Sequence, residues 1–82
     1  MKITFKLYAS LTRYLPDRAK NHQIELDVSE AMSPLQLLAQ YGVPEAQIHL
    51  VLINGVFVVP SERDVSLKAG DELAVWPAIA GG

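Results

Sequence analysis

The chain has 82 residues, half of them apolar and a fifth charged, with a formal net charge of −2 at pH 7 and no cysteine. That length admits one domain built on one small core, and the composition is that of a globular chain rather than a disordered one. Lack of cysteine removes disulfides, thiolate nucleophiles and sulfur-rich zinc sites together, and a weakly acidic chain lacks the basic face that nucleic-acid binding uses.

"KITFKLYA" opens the chain by alternation, with Ile3, Phe5 and Leu7 on one face and Lys2, Thr4, Lys6 and Tyr8 on the other. This is a half-buried strand, not a signal peptide, and no later apolar run approaches the ~18 residues of a membrane helix. The expectation is a soluble cytoplasmic domain with neither a membrane nor a nucleic acid as partner. "SLTRYL" reads as a short helical turn capped by Ser10 and closed by Pro16-Asp17, and "PDRAKNHQ" as an exposed loop. "QIELDV" alternates again, with Ile24, Leu26 and Val28 inward.

At Ser33-Pro34 the period changes. A capping hydroxyl followed by proline opens a helix, Leu35, Leu38 and Tyr41 follow at helical spacing with Leu37 widening the stripe, and Gly42 suits the position past its end. The helix has only about two turns, so it must lie on a sheet to persist. In "HLVLINGVFVVP" two β-branched runs flank Asn54-Gly55, the pair that supplies two positive φ angles to a type I′ hairpin. Pro60 ends the pairing, "SERDVSL" returns Val65 and Leu67 to the core, "KAGDE" turns at Gly70, and "ELAVWP" is the last strand. The order strand, strand, helix, hairpin, strand is an α+β arrangement, a mixed sheet covered by one main helix. It is the order of a β-grasp (ubiquitin-like) roll, whose last strand lies parallel to the first at the sheet centre. Residues 1–77 then form the domain, and 78–82 a flexible Gly-Gly tail projecting from a rigid base.

Candidate chemistry is sparse. His22 and His49 have no further ligand at metal spacing, Glu62-Arg63-Asp64 and Asp71-Glu72 sit in turns that face water, and no serine has a nucleophile context. Gly55 and Gly70 are turn glycines with no phosphate-loop pattern around them. The chain is therefore expected to carry no cofactor or metal and no active site of its own. What remains is "AVWPAIAGG". At a glycine usage of about 7%, a Gly-Gly ending arises in roughly half a per cent of chains, so it is informative without being decisive. From Ala78 to Gly82 the chain reaches at most ~17 Å when extended. Two glycines without Cβ can thread a channel too narrow for other residues and deliver a carboxylate into another protein's site. A carboxylate becomes acylating only when activated, for example by adenylation.

Three features at this spacing, Asn54-Gly55, Gly70-Asp71-Glu72 and the Pro77-to-Gly82 ending, make the chain resemble the MoaD/ThiS sulfur-carrier family over essentially its whole length, most closely the small subunit of molybdopterin synthase. The resemblance implies that Gly82 is adenylated by an adenylyltransferase related to ubiquitin-activating enzymes and converted to a thiocarboxylate by a sulfurtransferase, with Gly81 giving clearance. It also implies sulfur donation within a heterotetramer with the large catalytic subunit of molybdopterin synthase, on which the catalytic residues would lie. The ending "WPAIAGG" departs from the two prolines and small polar residue usual in that branch. Thiamin-type or tRNA-thiolation carriers and a ubiquitin-like protein modifier therefore stay open as alternatives. Phe57, Trp76, Pro77 and Ile79 are the candidate partner-binding residues; Phe57 and Trp76 would form a docking patch if both are exposed, and core packing is the competing reading for each.

Overall fold

The structure, a computed structural model, describes residues 1–78. Strands β1 (Lys2–Leu7), β2 (Gln23–Asp27), β3 (Leu50–Ile53), β4 (Val56–Phe57) and β5 (Glu72–Trp76) form one mixed sheet in the order β2-β1-β5-β3-β4, and helix α1 (Pro34–Gln40) covers one face. β1 and β2 are antiparallel, with Phe5 opposite Ile24. β5 runs parallel to β1, with Phe5 beside Leu73 and Leu7 beside Val75, and antiparallel to β3, with Val51 beside Val75. The expected β-grasp arrangement, with the last strand at the centre, is what the chain adopts.

The period-2 pattern accounts for the core. Ile3, Phe5 and Leu7 of β1, Ile24 and Leu26 of β2, Val51 of β3 and Leu73 and Val75 of β5 all point toward α1 and are buried. From the helix come Pro34, Leu37 and Leu38, with the Tyr41 ring 5.4 Å from that of Phe5. Both ends of α1 are closed. At the first end the Ser33 hydroxyl accepts from the Gln36 amide at 3.2 Å, while the Gln36 side chain accepts from the Ser33 amide at 3.0 Å. At the other, Gly42 takes φ +80°, its amide bonds to Ala39 O, and the Val43 amide reaches Leu38 O. That is the paired closure of a Schellman motif, with Val43 buried against the core. The inward stripe differs slightly from the expected one, because Pro34 takes a core position and Leu35 is left half-buried.

Four further readings are corrected. Residues Ala9–Tyr14 form a 3-10 helix that starts after Tyr8 with no side-chain cap, so Ser10 caps nothing. Val65 is 61% exposed and only Leu67 returns to the core, since the segment is turn rather than strand and has no period-2 alternation to enforce burial. Arg63, expected to face water, is buried and donates from Nη2 to His49 O at 2.8 Å, with its Nε lacking a partner. The polar connection between β1 and β2 also contains an unforeseen tight turn. Asn21 and His22 both have φ near +50°, and Lys20 and Gln23 exchange backbone bonds of 3.0 and 3.1 Å across them.

The Asn54-Gly55 turn is as expected, with φ of +53° and +80°. Asn54 adds something the dipeptide signal does not contain: its side chain donates to the Asp71 carboxylate and accepts from the Glu72 amide, each at 2.9 Å, tying the hairpin to the start of β5. Asn54→Ala should cost about 1–2 kcal/mol in urea unfolding, through these bonds and the left-handed backbone. Asn54→Gly keeps the backbone and should cost less than about 1 kcal/mol.

Candidate functional site

The site is the end of β5, the last strand among the described residues. A central strand has partners on both sides, and β5 keeps them to its last residue: the Tyr8 amide donates to Val75 O at 3.1 Å and the His49 amide to Trp76 O at 3.0 Å. Pro77 follows half-buried and Ala78 exposed. Pro77 cannot donate a backbone hydrogen bond, which suits the point where sheet pairing stops. Ile79, Gly81 and Gly82 lie outside the described residues.

Alternation places Trp76 and Ala74 of β5 on the sheet face opposite α1, together with Leu50 and Leu52 of β3, Phe57 of β4 and Lys6 and Tyr8 at the end of β1. The cross-strand pairs Phe57–Leu52, Leu52–Ala74 and Leu50–Trp76 form a continuous apolar strip that reaches the end of β5. Phe57 is 53% exposed. Trp76 is half-buried and stacks on Tyr8, ring centroids 4.2 Å apart and planes parallel, and Tyr8 in turn contacts His22 at 5.0 Å. The two aromatic candidates thus share one face, by different routes: Phe57 is open, and Trp76 offers what its stack with Tyr8 leaves uncovered. Sequence reasoning missed Tyr8, Leu50 and Leu52. The signal was available in the outward-facing half of each alternating strand, once the strand order was known.

Electrostatics across the same face change beyond the strip. Lys6 and Glu72 pair at 2.9 Å, and Lys2 and Glu25 at 3.7 Å. The hydrogen bond to Glu72 holds the Lys6 ammonium above the usual lysine pKa of 10.5, against the opposing effect of desolvation. Near the opposite ends of β1 and β2, the Met1 amino group bonded to Asp27 at 3.1 Å lowers that carboxyl from its ordinary value of 3.8. His22 and His49 stand apart in role: His22 packs on Tyr8, and His49 contributes its backbone to β5 and to Arg63. Among the described residues no three histidine or carboxylate side chains come together at metal-binding distance.

Two measurements test this description. Trp76→Ala, which removes a stacked and half-buried ring, should lower stability by about 2 kcal/mol, whereas Phe57→Ala should cost less than about 1 kcal/mol. Because the two rings stack, losses for Tyr8→Ala and Trp76→Ala should be less than additive in the double variant. The second concerns pH. Because Lys6 is raised in the folded chain, its contribution is complete below the unfolded value of 10.5 and disappears as pH rises through the higher folded value. Wild-type stability measured from about pH 9 to about pH 11.5 should fall more steeply than that of Lys6→Met, and parallel curves would remove the ion pair from the account.

Comparison with known proteins follows the same lines. Solved structures of similar fold include SAMP1 from Haloferax volcanii, with TM-score 0.66, 23% identity and complete coverage of both chains. They also include a putative molybdopterin converting factor, subunit 1, from Pyrococcus furiosus, with TM-score 0.64, 20% identity and coverage of 95% of this chain and 98% of that one. Similarity at this level of identity is a similarity of fold. Among curated proteins no sequence matches. A family model described as Mut7-C ubiquitin matches residues 1–81, nearly the whole length, and the chain belongs to that ubiquitin-like family.

Proposed function

We propose that the chain is a carrier protein whose Gly82 carboxylate is activated by an adenylyltransferase and converted to a thiocarboxylate, with the sulfur passed to a pterin precursor in molybdenum-cofactor synthesis. The observation that carries this reading is the anchorage of β5 as far as the Trp76 carbonyl, followed by a short segment ending in two glycines. A rigid base with a slender extension suits delivery of a carboxylate into another protein. The fold shared with a protein named molybdopterin converting factor, subunit 1, supports the choice of acceptor, and a protein so named implies a companion large subunit.

In chemical terms, the carboxylate takes the adenylyl group of ATP with release of pyrophosphate. Hydrosulfide then adds to the acyl carbon and displaces AMP, leaving the thiocarboxylate. Where a sulfurtransferase persulfide attacks instead, AMP leaves an acyl disulfide, and a second thiol cleaves its S–S bond to release the thiocarboxylate and form a disulfide on the sulfurtransferase. The carrier supplies only the acyl group and the surfaces that position it. The apolar strip from Phe57 to Trp76 is the docking face in this reading, with Pro77, Ile79 and Gly81 as further contact residues. Such exposed aromatic and aliphatic side chains are what interface cores use. The missing cysteine fits a cytoplasmic setting, and no helix among the described residues is long and apolar enough to cross a membrane.

A second reading, a modifier joined to protein lysines through the same activated carboxylate, is favoured by membership of a ubiquitin family. The two separate by product. Incubation with ATP, sulfide and an activating enzyme should raise the intact mass by the exchange of one oxygen for sulfur, located at Gly82 and abolished when Gly81-Gly82 are deleted. Recovery of lysine conjugates and no thiocarboxylate would favour the modifier. No mass change with an enzyme proven on another carrier would sink both. Phe57→Ala should weaken the complex with the activating enzyme about tenfold or more while leaving the folded domain intact.

A further inference from the structure

We propose that the connection between β1 and β2 is a second, electrostatic contact for the protein that receives the tail, and that this protein presents an acidic surface to it. The inference rests on the activation of the tail proposed above, and goes beyond it by naming the chemistry of the partner's surface. The connection holds Arg13, Arg18 and Lys20, three of the chain's seven formal cations, against Asp17 alone of its nine carboxylates. An acidic molecule has thereby gathered a positive surface in one place.

These charges are unspent. Lys2 and Lys6 have carboxylate partners on the sheet, Arg63 is buried against the His49 carbonyl, and Lys68, without an ion pair among the described residues, stands in the turn before β5, away from the connection. Among the described residues Arg13, Arg18 and Lys20 form no ion pair, and all three are exposed. The surface is also held in shape. Arg13 lies over the Tyr14 ring at 5.0 Å and donates to its hydroxyl at 3.1 Å, and that hydroxyl bonds Gln47 at 3.3 Å, bracing the connection to the segment that precedes β3. The tight turn at Asn21-His22 closes its other end.

Position relates this surface to the tail. β1 and β5 are parallel, so the residues that follow β1 stand at the end where β5 stops, and the Tyr8 amide bonded to Val75 O joins the two directly. His22 reaches the same place through its contact with Tyr8. Between the 3-10 helix and the turn lies an open cleft of about 470 Å³, with Leu15, Pro16 and Ala19 along it and Arg13, His22 and the single carboxylate Asp17 also lining it. A glutamate or aspartate fits this combination, its stem on the apolar residues and its carboxylate toward the guanidinium. A nucleic acid fits less well: the cations are confined to one connection of a net acidic chain, too few to follow a phosphate backbone.

Rim charges of this kind act mainly on the rate of encounter and on salt dependence. The test pairs Arg18→Glu with Lys20→Glu, two exposed side chains that take no part in the fold's hydrogen bonding, and uses the adenylyltransferase that supports ATP–pyrophosphate exchange with the wild-type chain. Association measured by stopped flow should slow about tenfold or more at low salt, and the difference should shrink to about twofold or less near 0.5 M salt. Exchange at saturating carrier and the melting temperature should stay as in wild type, and Arg18→Lys with Lys20→Arg should keep the wild-type rate. Equal association rates for the reversed and native chains at low salt would overturn the acidic contact while leaving tail activation intact. Absence of exchange with the wild-type chain would instead remove the activation on which the inference rests, and the inference with it. Micromolar binding of a labelled single-stranded oligouridine at 150 mM salt, lost on reversal, would reassign the surface to RNA.

Discussion

Everything else in this molecule depends on β5 lying in the middle of the sheet. The last strand of the chain is inserted between the first and the third, parallel to one and antiparallel to the other, and its final peptide groups are held from both sides by Tyr8 and His49. Leu73 and Val75 are completely buried against α1, and Ala74 is covered on the opposite face. Loss of this strand would open the sheet and remove the centre of the core, at a cost comparable to the small net stability expected of a domain this size. The chain after Trp76 thus continues from a strand paired on both sides rather than from a sheet edge.

The same insertion organises the surface. Because β5 separates β1 from β3, the elements that follow β1 and precede β3 meet across its end, where Tyr14 bonds Gln47. Because its side chains alternate, Trp76 must face away from the helix once Leu73 and Val75 face toward it. There it finds Tyr8 from the neighbouring strand and Leu50 from the other. Burial, aromatic stacking and an exposed apolar strip are consequences of one pairing register. The acyl-carrier reading requires only this: a fixed base, an adjacent surface for recognition, and a narrow extension.

Charge is distributed with a similar division. On the sheet, opposite charges are matched, Lys6 with Glu72 and Lys2 with Glu25, which keeps that half of the open face polar and discourages a second molecule from covering all of it. On the β1–β2 connection the cations have no such partners among the described residues. The apolar strip and the basic connection flank the end of β5 from two directions, so a protein that takes the tail would meet an apolar and a positive surface together. Arg63 belongs to neither group: its guanidinium is consumed in joining the turn before β5 to the start of β3.

What could be read from residues alone were the features encoded in local pattern. Period-2 alternation located β1, β2 and β5; Ser33-Pro34 and Gly42 bounded α1 because caps answer to backbone groups only three or four residues away; and Asn54-Gly55 forced its turn through φ angles that few other pairs adopt. Those elements in that order, with the Gly-Gly ending, already pointed to the ubiquitin-like fold. Where no periodicity or cap existed, local reading failed. Val65 resembled a core residue and Arg63 a surface one, yet the first is exposed and the second buried, because the path of residues 60–70 is dictated by what lies beneath it. Tyr8, Leu50 and Leu52 carried only the outward-facing half of the alternation, since their meeting with Trp76 and Phe57 exists only after strands distant in sequence are paired. The sequence by itself determined the elements, the turns and the chemical nature of the tail, all short-range properties of the chain. Only the tertiary structure decided which side chains stand around the end of β5, because that depends on strand order, and strand order is a long-range consequence of burying one apolar face beneath one helix.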